Sequence, residues 1–190
     1  MTTTLDTIRS AIPDYARDLR LNLGSVLAPT GAPGLSEKQI WAVAFTSAIA
    51  SRNTPFTRDI ETLAAAYLDT AHLEAARSAA AIMGMNNIYY RFLHRVVDSE
   101  YARMPARLRM NVIGNPGIDK LDFELLSLAV SAINGCGMCI ESHERQLRQH
   151  DVSREAVQSA VRIAATVHAV ARVLEDAASQ AQVEKSAVAA

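Results

Sequence analysis

The sequence predicts an all-α protein, and three observations carry that reading. Its 8 glycines and 6 prolines are few for 190 residues, and many gather in short connectors: Pro29 to Gly34, Thr54-Pro55 and Gly114-Asn115-Pro116-Gly117. Between the connectors Ala, Leu, Arg, Glu and Gln dominate, residues that lose little on entering a helix. No stretch alternates apolar and polar residues over the length of a strand.

The elements follow in order. Thr7 to Leu27 reads as one or two short helices, broken or begun near Pro13. Ser36 with Gln39 matches a capping box opening a helix to about Ser51, and Trp41, Phe45 and Ile49, spaced by four, give it a core stripe. Phe56 to Tyr67 is the next helix, with Ile60, Leu63, Ala64 and Tyr67 on one face. His72 to about Val97 follows, with Gly84-Met85-Asn86-Asn87 the point at which it would be interrupted. Leu121 to Ile133, Cys136 to about Gln149, and a long helix capped by Ser153 and reaching about Ala178 complete the set. Residues 182–190 read as a frayed, disordered tail.

One internal similarity organises these helices. Ala81-Ile82-Met83-Gly84-Met85 matches Ala132-Ile133-Asn134-Gly135-Cys136 at an offset of about 51 residues. The expectation is a single helical domain over 1–181 built of two related units, about 1–100 without cysteines and about 118–181 catalytic.

Composition narrows the function classes. A formal net charge of -1 and no dense Lys/Arg tract give no electrostatic reason for a nucleic-acid or anionic-membrane partner. Arginines outnumber lysines and are spread over many helices, as solvated faces and inter-helix ion pairs require. Met1 to Asp6 has no basic n-region and no apolar h-region, and the most apolar window, Ile40 to Ala50, is too short to span a bilayer, so a cytoplasmic location is expected. In that reducing compartment the chain's 2 cysteines read as catalytic or metal-binding rather than as a permanent bridge.

Both cysteines lie in Cys136-Gly137-Met138-Cys139-Ile140-Glu141-Ser142-His143, a spacing that can close a small disulfide loop. In a helix begun at Gly135 or Cys136, Cys139 sits in the first turn, where free N–H groups and the macrodipole favour a thiolate. At about 100° per residue Cys136, Cys139 and His143 cluster within roughly 60°, while Met138 points to nearly the opposite side. His143 therefore pairs with Cys139. Thiol chemistry on a peroxide also needs the leaving oxyanion protonated, and a relay through His143 calls for an orienting carboxylate. Glu141 and Glu144 lie on the wrong face. Glu124, followed by Ser127 and Ser131, forms a polar stripe on an otherwise apolar helix, which either supplies that carboxylate or faces water.

At these residues the chain resembles the alkyl hydroperoxidase D family, AhpD, within the carboxymuconolactone decarboxylase-like group. The resemblance runs through Pro13-Asp14-Tyr15-Ala16, Leu21-Asn22-Leu23, Ala79 to Asn87, Leu108-Arg109-Met110-Asn111 and Asn115-Pro116-Gly117. It is most specific in Phe123-Glu124-Leu125, Ala129 to Cys136, Cys139 and His143-Glu144. It implies an all-helical antioxidant enzyme, a homotrimer, that reduces hydrogen peroxide and organic hydroperoxides. Cys139 would be the peroxidatic thiol, Cys136 the resolving one, and Glu124 with His143 the proton relay. The electron donor implied is dihydrolipoamide on a lipoylated protein, with electrons passed onward to the peroxiredoxin AhpC; no bound cofactor or metal is implied. Many members carry a histidine inside the motif where this chain has Met138, which cannot transfer a proton. Either water bridges the gap, or the relay is Glu124 and His143 alone, or peroxidase activity is reduced; with Met138 pointing away from the Cys139 and His143 stripe, the expectation is that activity survives.

Three other readings compete. A zinc site on Cys136, Cys139 and His143 would need His150 as a fourth ligand. A redox-sensing or disulfide-exchange dithiol would oxidise without turnover. A decarboxylase like the namesake of the larger group has no use for a dithiol. His72, His94 and His168 read as surface or packing residues, and Met83 and Met85 as packing near the active helix or at a subunit contact.

Overall fold

In the computed structural model, which describes residues 4–188, ten α-helices and two 3-10 turns follow one another, with no strand among the described residues. Residues 1–3, part of the segment read above for a leader, and 189–190, the end of the expected tail, lie outside the described residues.

α1 (Leu5–Ser10) stops short of Pro13, which instead leads a turn at Asp14–Ala16 into α2 (Arg17–Val26). A second turn at Pro29–Gly31 delivers the chain to α3 (Glu37–Ser51), which opens on the capping box: Ser36 Oγ accepts from Gln39 N–H at 3.2 Å and Gln39 Oε1 accepts from Ser36 N–H at 2.9 Å. Every residue from Ile40 to Ala48 is buried, so α3 is a central helix covered all round rather than one with a single stripe at Trp41, Phe45 and Ile49. Its hydroxyls fit because Thr46, Ser47 and Ser51 each donate to the carbonyl one turn back.

Arg52 takes a left-handed conformation, φ +64°, and ends α3. Asn53 then caps α4 (Thr54–Ala64), and Asp69 caps α5 (Thr70–Arg95). α5 runs unbroken through Gly84-Met85-Asn86-Asn87. Glycine in a helix costs about 1 kcal/mol, which the burial of Ala75, Ala76, Ala79 and Met83 on the same helix outweighs. Two short helices that periodicity does not announce, α6 (Glu100–Arg103) and α7 (Asn111–Gly114), interrupt the connector to α8 (Lys120–Asn134).

α9 (Gly137–Gln149) follows, and α10 (Arg154–Val188) closes the chain. α10 extends past the expected end near Ala178 and through 182–188, where a frayed tail was expected. The Ala, Gln and Glu residues there propagate a helix already nucleated on the core. α3 packs against α4, α5, α8 and α10, while α8 packs against α5, α9 and α10. One buried apolar cluster runs from Ile8 to Ala171. Among the described residues no helix is long and apolar enough to cross a membrane.

Candidate active site

The site is built where α8 turns into α9. Gly135 adopts φ +68°, and the Cys136 N–H reaches back to the Ser131 carbonyl at 3.1 Å, closing the last turn of α8. Cys136 is then the N-cap of α9, its Sγ accepting from the Cys139 N–H at 3.4 Å. The two cysteines are joined as a disulfide, with Cα atoms 5.3 Å apart. Cys136 has no exposed surface and Cys139 is 6% exposed.

One turn along α9, His143 meets Glu124 of α8: Nδ1 and Oε2 are 2.6 Å apart, with the side chains only 11% and 18% exposed. A carboxylate on Nδ1 selects the tautomer that donates from Nδ1 and leaves Nε2 for another partner. The rest of the polar stripe faces inward. Ser127 and Ser131 are buried, and Ser131 Oγ accepts from Asn87 Nδ2 at 2.9 Å, while Asn134 Nδ2 donates to Asn87 Oδ1 at 3.0 Å. These bonds tie α5 to the end of α8 immediately before the cysteines. Arg91 adds another by donating from Nη1 to the Asn134 carbonyl at 2.7 Å.

A cleft of about 430 Å³ opens over this junction, and Cys139, His143 and Glu124 line it while Cys136 does not. Its far wall comes from Met83, Asn86 and Tyr90 of α5 and from Met110 and Ile113. Of that wall the sequence places only Met83 near the active helix; Tyr90, Met110 and Ile113 carry no signal in the spacing. Met138 corrects an expectation: it does not point away but lines the same cleft. Consecutive helical residues are only about 100° apart, and the cleft takes in both the Met138, Ser142, Gln146 edge of α9 and the Cys139, His143 edge.

A larger cleft of about 590 Å³ holds no cysteine and lies against another face of α5, lined by Arg52, Arg91, His168 and Arg172 among others. There His168 Nδ1 is 3.2 Å from Ser51 Oγ, and burial first, then the charge of Arg172, holds the imidazole pKa below its ordinary value. His72 pairs with Asp69 at 2.7 Å at the head of α5, and His150 Nδ1 is 2.8 Å from the Gln146 carbonyl. Among the described residues no group of three or more His, Cys, Asp or Glu side chains is gathered as a metal site.

Comparison with known proteins gives the family of the chain. A model of the Carboxymuconolactone decarboxylase family matches residues 99–182. The protein named Alkyl hydroperoxide reductase AhpD from Rhodospirillum centenum is 54% identical over 188 residues, covering 98% of this chain and 100% of that one. Proteins of the same name from Gluconacetobacter diazotrophicus and Streptomyces coelicolor are 57% identical over 176 residues (93% and 95% of the two chains) and 53% over 172 (90% and 95%). With such identity sustained over nearly the whole length, the chain belongs to the AhpD family.

Proposed function

We propose that the chain is a thiol peroxidase that reduces hydrogen peroxide and organic hydroperoxides through Cys136 and Cys139. The observation that carries this reading is the asymmetry of the pair. Cys139 faces the cleft beside a carboxylate-oriented histidine, and Cys136 sits behind it with no exposed surface. In the reduced enzyme the Cys139 thiolate attacks the distal peroxide oxygen. The S–O bond forms as the O–O bond breaks, and the departing alkoxide takes a proton through His143, held by Glu124. The Cys136 thiol then displaces water from the Cys139 sulfenic acid, giving the disulfide, and an external dithiol restores the pair by exchange.

The donor in this reading is dihydrolipoamide carried on a lipoylated protein, electrons also pass to the peroxiredoxin AhpC, and the enzyme is a cytoplasmic homotrimer that needs no bound cofactor or metal. Residues 1–181 act as one domain, which a single apolar cluster running from Ile8 to Ala171 supports, built of two related units of which the second bears the cysteines. Met138 leaves the relay to Glu124 and His143.

The test is a dihydrolipoamide-dependent peroxidase assay on wild type, Cys139→Ser and Cys136→Ser. Cys139→Ser is expected to consume no peroxide, and Cys136→Ser, with the dithiol left out, to consume one equivalent and hold a dimedone-reactive sulfenic acid. Full activity in Cys139→Ser would overturn the assignment, and a wild type that oxidises once without turnover would make the pair a sensor.

A further inference from the structure

We propose that Met138 is a second peroxide-oxidisable site of the cleft, converted to methionine sulfoxide when Cys136 and Cys139 are held as the disulfide. The inference rests on the hydroperoxide reading above, since it takes the cleft to admit hydroperoxides. Three of the chain's 6 methionines, Met83, Met110 and Met138, line that cleft, and their surroundings separate them. Met83 is 1% exposed. Met110 is only partly exposed, and the Tyr90 hydroxyl, 3.9 Å from its sulfur, engages one of its two lone pairs. Met138 is 37% exposed, sits next to Cys139 in sequence, and among the described residues its sulfur has no such partner.

Once Cys139 is bonded to Cys136 it presents no thiolate, and a hydroperoxide entering the cleft meets the Met138 thioether as the accessible nucleophilic sulfur. The sulfur lone pair attacks the distal oxygen. An S–O bond forms, the O–O bond breaks, and the alcohol leaves carrying the proton of the attacked oxygen. Sulfur is oxidised by two electrons and the hydroperoxide reduced by two, so no further reactant is needed. The product differs from the disulfide in what reverses it. A dithiol reduces the disulfide, whereas the sulfoxide requires a methionine sulfoxide reductase. Met138 thus records episodes in which peroxide outruns the supply of reductant, and it does so by placing a polar S=O group in the cleft beside Cys139.

The experiment uses the full chain in its disulfide form, with no thiol donor, exposed to tert-butyl hydroperoxide. Peptide mass spectrometry follows sulfoxide formation at each methionine, folded and in urea. Met138 is expected to oxidise faster folded than unfolded, by about fivefold or more, because the cleft holds peroxide and sulfur together. Met104, 60% exposed and outside the cleft, is expected to gain nothing from folding. A folded rate at Met138 equal to or below the unfolded one would overturn the proposal. Without a donor the disulfide form cannot turn over, so this result is independent of the peroxidase assay on the reduced protein; either can fail alone.

Discussion

Glu124 and His143 are 19 residues apart in sequence and 2.6 Å apart in space, which makes the carboxylate the main orienting contact of the imidazole. Glu124→Gln keeps the shape but removes the anion that stabilises an imidazolium, so kcat/KM for hydroperoxide is expected to fall by about a hundredfold or more. An unchanged kcat/KM would remove Glu124 from the relay. Ser131→Ala acts differently. It leaves the buried Asn87 amide without its acceptor, and urea unfolding should read a loss of about 1–3 kcal/mol. At this scale the sequence was legible where chemistry follows helical spacing, as with Cys139 and His143. It was not legible for Met138, whose place depends on how wide a face the cleft takes, nor for Tyr90 and Met110, which reach the cleft only through packing of distant segments.

Caps read in the sequence, Ser36 and Ser153, fall where the helices begin, while Asn53, Asp69 and Asp119 cap helices whose starts, read from the apolar pattern alone at Phe56, His72 and Leu121, lie one or two residues inside α4, α5 and α8. α6 and α7, at 4 residues each, are too short to show a period. The run after Ala178 has helical propensity without an apolar face, so its composition suits a helix and a tail equally. Gly135 is the element-level hinge of the site, with φ +68° between α8 and α9. Gly135→Ala meets no neighbour but must adopt a left-handed backbone, so thermal unfolding is expected to show a loss of about 1–2 kcal/mol. Asn53 joins elements more directly, accepting from Phe56 N–H to start α4 and donating from Nδ2 to the Ala171 carbonyl of α10 at 3.0 Å. Asn53→Ala loses the cap and the extra bond to the Ala171 carbonyl, which the α10 ladder still satisfies, a loss of about 1–3 kcal/mol in the same measurement.

At the scale of the whole molecule, the all-α class and the order of helices were readable because propensity and periodicity are local, while the choice of α3 as the buried centre was not, since it is set by α4, α5, α8 and α10 closing around it. His168 illustrates the same limit: it reads as an ordinary packing histidine, yet it links α10 to the end of α3 through Ser51. Burial and Arg172 depress its pKa, so the unfolded chain binds a proton there more readily than the folded one. Stability from this group is therefore complete well above the unfolded value of about 6.5 and falls as pH drops through it toward the lower folded value. Asp69 and Glu155 are shifted below their ordinary carboxylate range, Asp69 chiefly by hydrogen bonding with His72 and Glu155 chiefly by a backbone hydrogen bond. Their stabilising contributions are lost only as pH falls below about 4.5, through the unfolded carboxylate values, so the two windows separate. Melting temperature measured from pH 7.5 to pH 5.5 is expected to decline in wild type and to decline less in His168→Gln, which keeps a hydrogen-bonding group but cannot charge. Identical slopes in the two proteins would mean that the imidazole accepts its proton in the folded state as easily as in the unfolded one, and that the arginine-lined cleft does not resist an added positive charge.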